Sequence, residues 1–88
     1  MTNYYAYHNW LVKLDVPMFG TMKAFIFDLN SGIRDRFSIN ASDTHKFVCD
    51  YIDRCHAGNT AYYIGFNTLF PITGQDKSKA QELFNRYF

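Results

Sequence analysis

The sequence has almost no excess charge of either sign, since nine lysines and arginines offset eight acidic residues and leave a formal net charge of +1. Such an even balance does not by itself imply a polyanionic partner. It also excludes a strongly acidic protein that mimics DNA. Recognition of any partner would therefore depend on the local arrangement of side chains.

Membrane and targeting signals are missing as well. The longest apolar runs are too short to span a membrane. The residues from Met1 to Tyr5 lack the basic stretch and the apolar run of a signal peptide. We interpret the chain as a complete cytoplasmic protein, because it begins with Met1 and ends in a predicted helix.

Cysteine is scarce, with only Cys49 and Cys55. Both lie in one predicted helix, where a rise of about 1.5 Å per residue separates them by roughly 9 Å along the axis. A disulfide between them would break the helix. We therefore expect free thiols and a reducing compartment, with Cys55 on the apolar stripe of the helix and Cys49 on its polar side.

Catalytic motifs are also absent, since the sequence has no glycine-rich phosphate loop, no G-x-S-x-G elbow and no metalloprotease helix. A thiol nucleophile from Cys49 or Cys55 with His45 or His56 lacks a third group or an oxyanion donor. We predict that the protein is not an enzyme and needs no cofactor.

A metal site deserves separate consideration because His45, Cys49, Asp53 and His56 fall on one stripe of the predicted helix. All four are residue types that bind zinc. A straight helix cannot close four such ligands around one ion, because the end residues are too far apart. We therefore expect this stripe to be the solvated side of the helix and predict no metal site.

Apolar and aromatic residues, in contrast, are abundant. They include nine Phe and seven Tyr, and the apolar share of the 88 residues is 48%. A domain this small needs a dense core, and aromatic side chains supply one. The composition predicts one folded domain that spans residues 1–88.

Hydrophobic periodicity predicts an α+β fold with an antiparallel sheet, in the element order βββαβα and with two helices packed on one face of the sheet. Ser42 or Asp43 is the predicted N-cap of the first helix. The predicted strands and helices are 4–16, 21–29, 33–40, 43–57 (helix), 60–70 and 76–88 (helix).

A fold with helices on one face leaves the other sheet face open, and an open aromatic face is typical of a protein–protein interface. We predict that this face binds a protein partner or a second copy of the chain. Exposed helix residues are possible rim contacts, namely Lys46, Asp50 and Arg54. The predicted contact residues are Tyr5, Tyr7, Trp10, Arg34, Arg36 and Tyr63, with Tyr4 as a further aromatic anchor.

The alternative hypothesis is that aromatic side chains on the sheet stack the bases of a single-stranded nucleic acid. The order βββαβα differs from the βαββαβ order of RNA-recognition domains, and their Lys/Arg-Gly-Phe signature is missing. The candidates for this platform are Tyr5, Tyr7, Phe25, Phe27 and Tyr63, with Lys13, Lys23, Arg34 and Arg36 around it.

In its small size, its apparent completeness and its lack of catalytic motifs, the chain is similar to small phage-encoded inhibitors, including anti-CRISPR proteins. The similarity concerns general character and no particular residue. It implies a protein that blocks a host nucleic-acid-processing complex by direct contact with a protein surface. The near-neutral charge differs from that of the acidic members that mimic DNA.

Overall fold

The computed structural model describes residues 1–56 and 68–88. It confirms the α+β class, with five strands in one antiparallel sheet and two helices. The elements are β1 (Thr2–Tyr7), β2 (Trp10–Asp15), β3 (Met22–Asp28), β4 (Arg34–Ile39), α1 (Thr44–Cys55), β5 (Phe70–Pro71) and α2 (Gly74–Tyr87).

The first predicted strand is two strands, so the order of the described elements is ββββαβα and not βββαβα. The chain reverses at a turn between Tyr7 and Trp10, where His8 adopts a positive φ of 53°. No glycine or proline marks this turn, and that is why periodicity alone missed it.

The strands are arranged in the order β4-β3-β2-β1-β5, and each neighbouring pair is antiparallel. Strand β3 lies in the interior of the sheet and is apolar on both faces, because Ala24 and Ile26 are buried on one face and Phe27 on the other. Most of the predicted strand 60–70 lies outside the described residues.

The two helices lie on opposite faces of the sheet, which corrects the expectation that both pack on one face. Side chains alternate along β1, so that Tyr7 reaches Asp53 of α1 while Tyr4 packs against Phe84 of α2. Because large apolar side chains project from both faces of the central strands, each face needs a helix to shield it from water. We call these surfaces the α1 face and the α2 face.

The core on the α1 face is the larger of the two. Helix α1 follows the predicted N-cap Asp43, whose carboxylate accepts a hydrogen bond from the amide of Lys46. The buried α1-face core consists of Tyr7, Trp10, Val12, Leu14, Ala24, Ile26, Ile39, Val48, Cys49, Ile52 and Leu69. The buried α2-face core consists of Tyr4, Phe27, Ala80 and Phe84. Among the described residues, neither helix is long and apolar enough to cross a membrane.

Candidate functional site

Two of the predicted contact residues, Tyr7 and Trp10, are buried beneath α1, so the expectation that they form an exposed surface is wrong. The Tyr7 hydroxyl donates to the carboxylate of Asp53, with oxygen distances of 2.9 and 2.8 Å. Burial and this carboxylate raise the pKa of Tyr7. Tyr5 is only half-buried and meets the ring of His45 edge-on. These aromatics hold α1 against the sheet.

A second polar contact ties α1 to the edge strand β4. Asp35 accepts a hydrogen bond from the Tyr51 hydroxyl at 2.6 Å and lies 3.2 Å from Nε2 of His56. Burial alone would raise the pKa of Asp35, but the hydrogen bonds from Tyr51 and His56 outweigh it and lower that pKa. The hydrogen bond to Asp35, with burial, raises the pKa of Tyr51 to about 12. These hydrogen bonds attach the C-terminal part of α1 to strand β4.

The helix residues considered as zinc ligands face different partners. Asp53 pairs with Tyr7, His56 pairs with Asp35, and His45 contacts Tyr5. Within the described part of the chain, no group of three His, Cys, Asp or Glu side chains is placed to hold an ion.

The two thiols are free, but their predicted positions are reversed, since Cys49 is buried and Cys55 is exposed. Burial, together with the charges of Asp53 and Asp50, raises the pKa of Cys49 to about 12. A thiol with such a pKa stays protonated near neutral pH and is a poor nucleophile. Cys49 is therefore part of the α1-face core.

The α2 face carries the remaining candidates in an ordered array. Cross-strand register places Lys13, Phe25 and Arg36 in one row, and Leu11, Phe27 and Arg34 in the next row. A third row contains Asp15, Lys23 and Ser38. We call the four cations of this face, Lys13, Lys23, Arg34 and Arg36, the cationic strip.

Helix α2 covers one side of this array and leaves the other side open. The C-terminal aromatics of the chain contact β3, with Tyr87 stacked on Phe27 and Phe88 edge-on to Phe25. Arg34 lies over the ring of Tyr87, with 4.7 Å from its guanidinium carbon to the ring centroid. We call the part of the α2 face around the exposed Lys23 and Arg36 the open part.

In the open part, Lys23 and Arg36 are exposed and line a depression of about 350 Å³ with Phe25, Phe37 and Ser38. Within residues 1–56 and 68–88, no acidic side chain forms a salt bridge with any cation of the strip. Asp15, the nearest acid by register, instead accepts a hydrogen bond from the Thr2 hydroxyl at 2.6 Å. The open part is therefore locally positive, although the whole chain is nearly neutral.

The predicted platform for stacking bases is not assembled. Tyr5 and Tyr7 lie on the α1 face, whereas Phe25 and Phe27 lie on the α2 face, and Tyr63 lies outside the described residues. The ring of Phe25 is also occupied, since Nζ of Lys13 lies 5.1 Å from its centroid. These aromatics do not form one open surface.

Sequence reasoning missed the loop between β2 and β3, where Met18 and Phe19 are 95% and 90% exposed. Phe19 and Lys23 line a second depression of about 400 Å³, so the apolar loop adjoins the cationic strip. The sequence did contain a signal for this exposure. Met18 and Phe19 lie between Pro17 and Gly20, in a loop too short for them to fold back into the core. Exposed apolar side chains of this size beside a charged patch are typical of an interface.

In comparisons with known proteins, no family model, no curated protein and no solved structure matched this chain.

Proposed function

We propose that the protein is a small non-enzymatic binding module that contacts an acidic protein surface through the open part of its α2 face. The observation that carries this proposal is the cationic strip, whose four positive side chains project from one face of the sheet. Phe19 stands beside the strip, where it lines a depression with Lys23, and with the exposed Met18 before it in the chain it supplies an apolar anchor. Cations around an exposed apolar residue are the usual composition of a binding hot spot and its rim.

The aromatic rings of the α2 face favour a protein partner over single-stranded nucleic acid, because other side chains already cover them. Base stacking needs free ring faces next to the cations. Here Lys13 covers Phe25, and Tyr87 covers Phe27. The charges that remain accessible, on Lys23 and Arg36, pair equally well with carboxylates, and the nearly neutral chain lacks the broad positive field of a nucleic-acid binder.

The similarity to phage-encoded inhibitors suggests the biological setting. In that setting the partner would be a host nucleic-acid-processing complex in the cytoplasm, and the module would occlude an acidic part of its surface. Steric occlusion requires no catalytic group.

The test is affinity capture of the tagged protein from an extract of cells of the source organism, with and without nuclease treatment, followed by mass spectrometry and an assay for co-captured nucleic acid. Wild-type protein is compared with a Lys23→Glu/Arg36→Glu variant. The matched control is Lys46→Glu/Arg54→Glu, which reverses two exposed charges on α1.

A stoichiometric protein that survives nuclease, is lost from the strip variant and is retained by the α1 variant would support the proposal. A partner that is lost equally from both variants would place the interface elsewhere. Recovery of nucleic acid alone would support the base-binding alternative.

A further inference from the structure

The outer edge of β4 offers hydrogen-bonding groups in addition to charge. The amide of Asp28 donates to the carbonyl of Ile33 across the β3–β4 pair. Because bonded and non-bonded pairs alternate in antiparallel strands, Asp35, Phe37 and Ile39 bond to β3. The backbone groups of Arg34, Arg36 and Ser38 consequently point away from the sheet.

One of these outward groups is already satisfied. The amide of Arg36 donates to Oδ1 of Asp35 at 2.7 Å, and Tyr51 and His56 hold that carboxylate in place. Among the described residues, no strand pairs with β4 on this side, because β4 is the end of the sheet. Within residues 1–56 and 68–88, the outward amides and carbonyls of Arg34 and Ser38 therefore have no strand beside them, at the two ends of an exposed edge.

The two faces of β4 differ in chemistry. On the α2 face, Arg34 and Arg36 stand along the edge and are exposed. On the α1 face, Phe37 is half-buried and stacks on Tyr51 with 3.7 Å between ring centroids, and Phe47 lies close by. A strand placed beside β4 would meet the positive charges of Arg34 and Arg36 on one face. On the other face it would meet the rings of Phe37 and Phe47, next to the carboxylate of Asp35 that Tyr51 and His56 already pair.

We propose that the partner contributes an extended segment in which acidic and apolar residues alternate, and that this segment adds to the sheet as a strand beside β4. Its acidic side chains pair with Arg34 and Arg36, and its apolar side chains cover Phe37 and Phe47. Main-chain bonds to Ser38 and Arg34 supply affinity, and the alternation supplies specificity. This inference rests on the proposed function and names the part of the partner that the strip recognises.

The first experiment uses defined peptides and fluorescence anisotropy. The probe is a short labelled peptide of alternating Glu and Val. The comparison peptide has the same composition with the Glu and Val residues in separate blocks, which keeps the charge and removes the alternation. We expect the alternating peptide to bind about tenfold more tightly than the block peptide.

Ser38→Pro separates main-chain pairing from charge. Proline at this position removes an outward amide and leaves the β3 ladder intact, as on natural edge strands. We expect it to weaken binding of the alternating peptide about tenfold with unchanged circular dichroism, and Arg36→Glu to weaken it by a similar factor. The control Arg54→Glu changes an exposed α1 charge and should have no effect. If Ser38→Pro unfolds the protein, protection from hydrogen exchange at Ser38 and Arg34 on peptide addition replaces it as the test.

The results distinguish this inference from the proposed function. Equal binding of the two peptides, or no effect of Ser38→Pro and no new protection at the edge, would overturn strand addition, even if Arg36→Glu still abolished capture of the cellular partner. Binding of oligothymidylate in preference to both peptides would overturn it as well. If β4 instead pairs with β4 of a second copy, the protein forms a dimer that Ser38→Pro dissociates and that the added peptide leaves intact. This result would also overturn the inference.

Discussion

The two faces of one sheet have different roles, although α1 and α2 are of similar length, with 12 and 14 residues. On the α1 face, apolar side chains fill the space between helix and sheet, and the polar groups Tyr7 and Asp35 are paired at its rim. On the α2 face, the buried core of the described residues consists of only Tyr4, Phe27, Ala80 and Phe84. The two cores differ in size because the strand side chains on the α1 face are mostly apolar, whereas those on the α2 face include the four cations of the strip.

The comparison shows how a chain of 88 residues separates stability from recognition. A single sheet supplies both, because alternate residues of each strand point to opposite sides. The α1 face holds most of the buried core residues that the structure describes, and the α2 face can then keep Lys23 and Arg36 exposed at little cost in folding free energy. Substitutions on the two faces should accordingly affect different measurements.

The largest expected effect is the loss of a central aromatic of the α1 face. Trp10→Ala should lower the free energy of unfolding by about 4 kcal/mol, because a fully buried ring leaves a cavity. Phe25→Ala, on the half-covered α2 face, should cost about 2 kcal/mol, roughly half as much. Urea denaturation followed by circular dichroism measures both. Equal losses would contradict the difference between the faces.

The next effect concerns Asp28, which is fully buried beside the two turns at one end of the sheet. It accepts hydrogen bonds from Asn9, Ser31 and the amide of Asn30 at 2.6, 2.6 and 2.9 Å. Asp28→Asn replaces an acceptor with a donor and should cost about 2 kcal/mol. Asp15→Asn, in which the acid is half-buried at the rim, is the control and should cost less.

The pH dependence provides a second readout for the same carboxylate. Burial would raise the pKa of Asp28, but the hydrogen bonds from Ser31, Asn30 and Asn9 outweigh it and hold the pKa below its ordinary value. A lowered folded-state pKa contributes stability above the unfolded pKa of about 3.9 and loses it as the pH falls further. Denaturation from pH 7 down to pH 2 should thus show a smaller acid loss in Asp28→Asn than in wild type.

A smaller effect is expected from the hydrogen bond that closes the rim of the α1 face. Tyr7→Phe removes the donor to Asp53 and keeps the ring, so it should cost about 1 kcal/mol, since Asp53 remains solvated. Tyr5→Phe, at a half-buried position on the same strand and face, should change stability by less than about 0.5 kcal/mol. If the two variants unfold at the same urea concentration, the bond to Asp53 does not contribute.

The smallest effect on stability is expected on the open part of the α2 face. Lys23→Glu/Arg36→Glu should change the free energy of unfolding by less than about 0.5 kcal/mol, because both side chains are exposed and unpaired with the described acids. Thermal unfolding measures this change, and the same variant should lose partner capture. A large loss of stability would mean that the strip is part of the folded core and would weaken its assignment to recognition.

Several features of the fold could be predicted from local sequence. The predicted strand 21–29 contains β3, and Asp43 was one of two predicted caps. The turn at His8 could not be predicted, since its signal is a left-handed residue that is not glycine. Positions on α1 were harder as well, because a small rotation of the helix exchanges Cys49 and Cys55 between core and surface.

The candidate site was predicted in part. Arg34 and Arg36 were among the predicted contact residues, and both are exposed. Tyr7 and Trp10 were assigned to the same surface, because composition cannot tell an aromatic interface from an aromatic core.

The sequence by itself determined the α+β class and which neighbouring residues of each strand share a face, because strand periodicity is a local property of the backbone. Only the tertiary structure decided which helix covers which face. That choice depends on long-range packing, through contacts such as Tyr7 with Asp53 and Tyr4 with Phe84. The same packing left β4 at the edge of the sheet and joined Lys13, Lys23, Arg34 and Arg36, distant in sequence, into one strip.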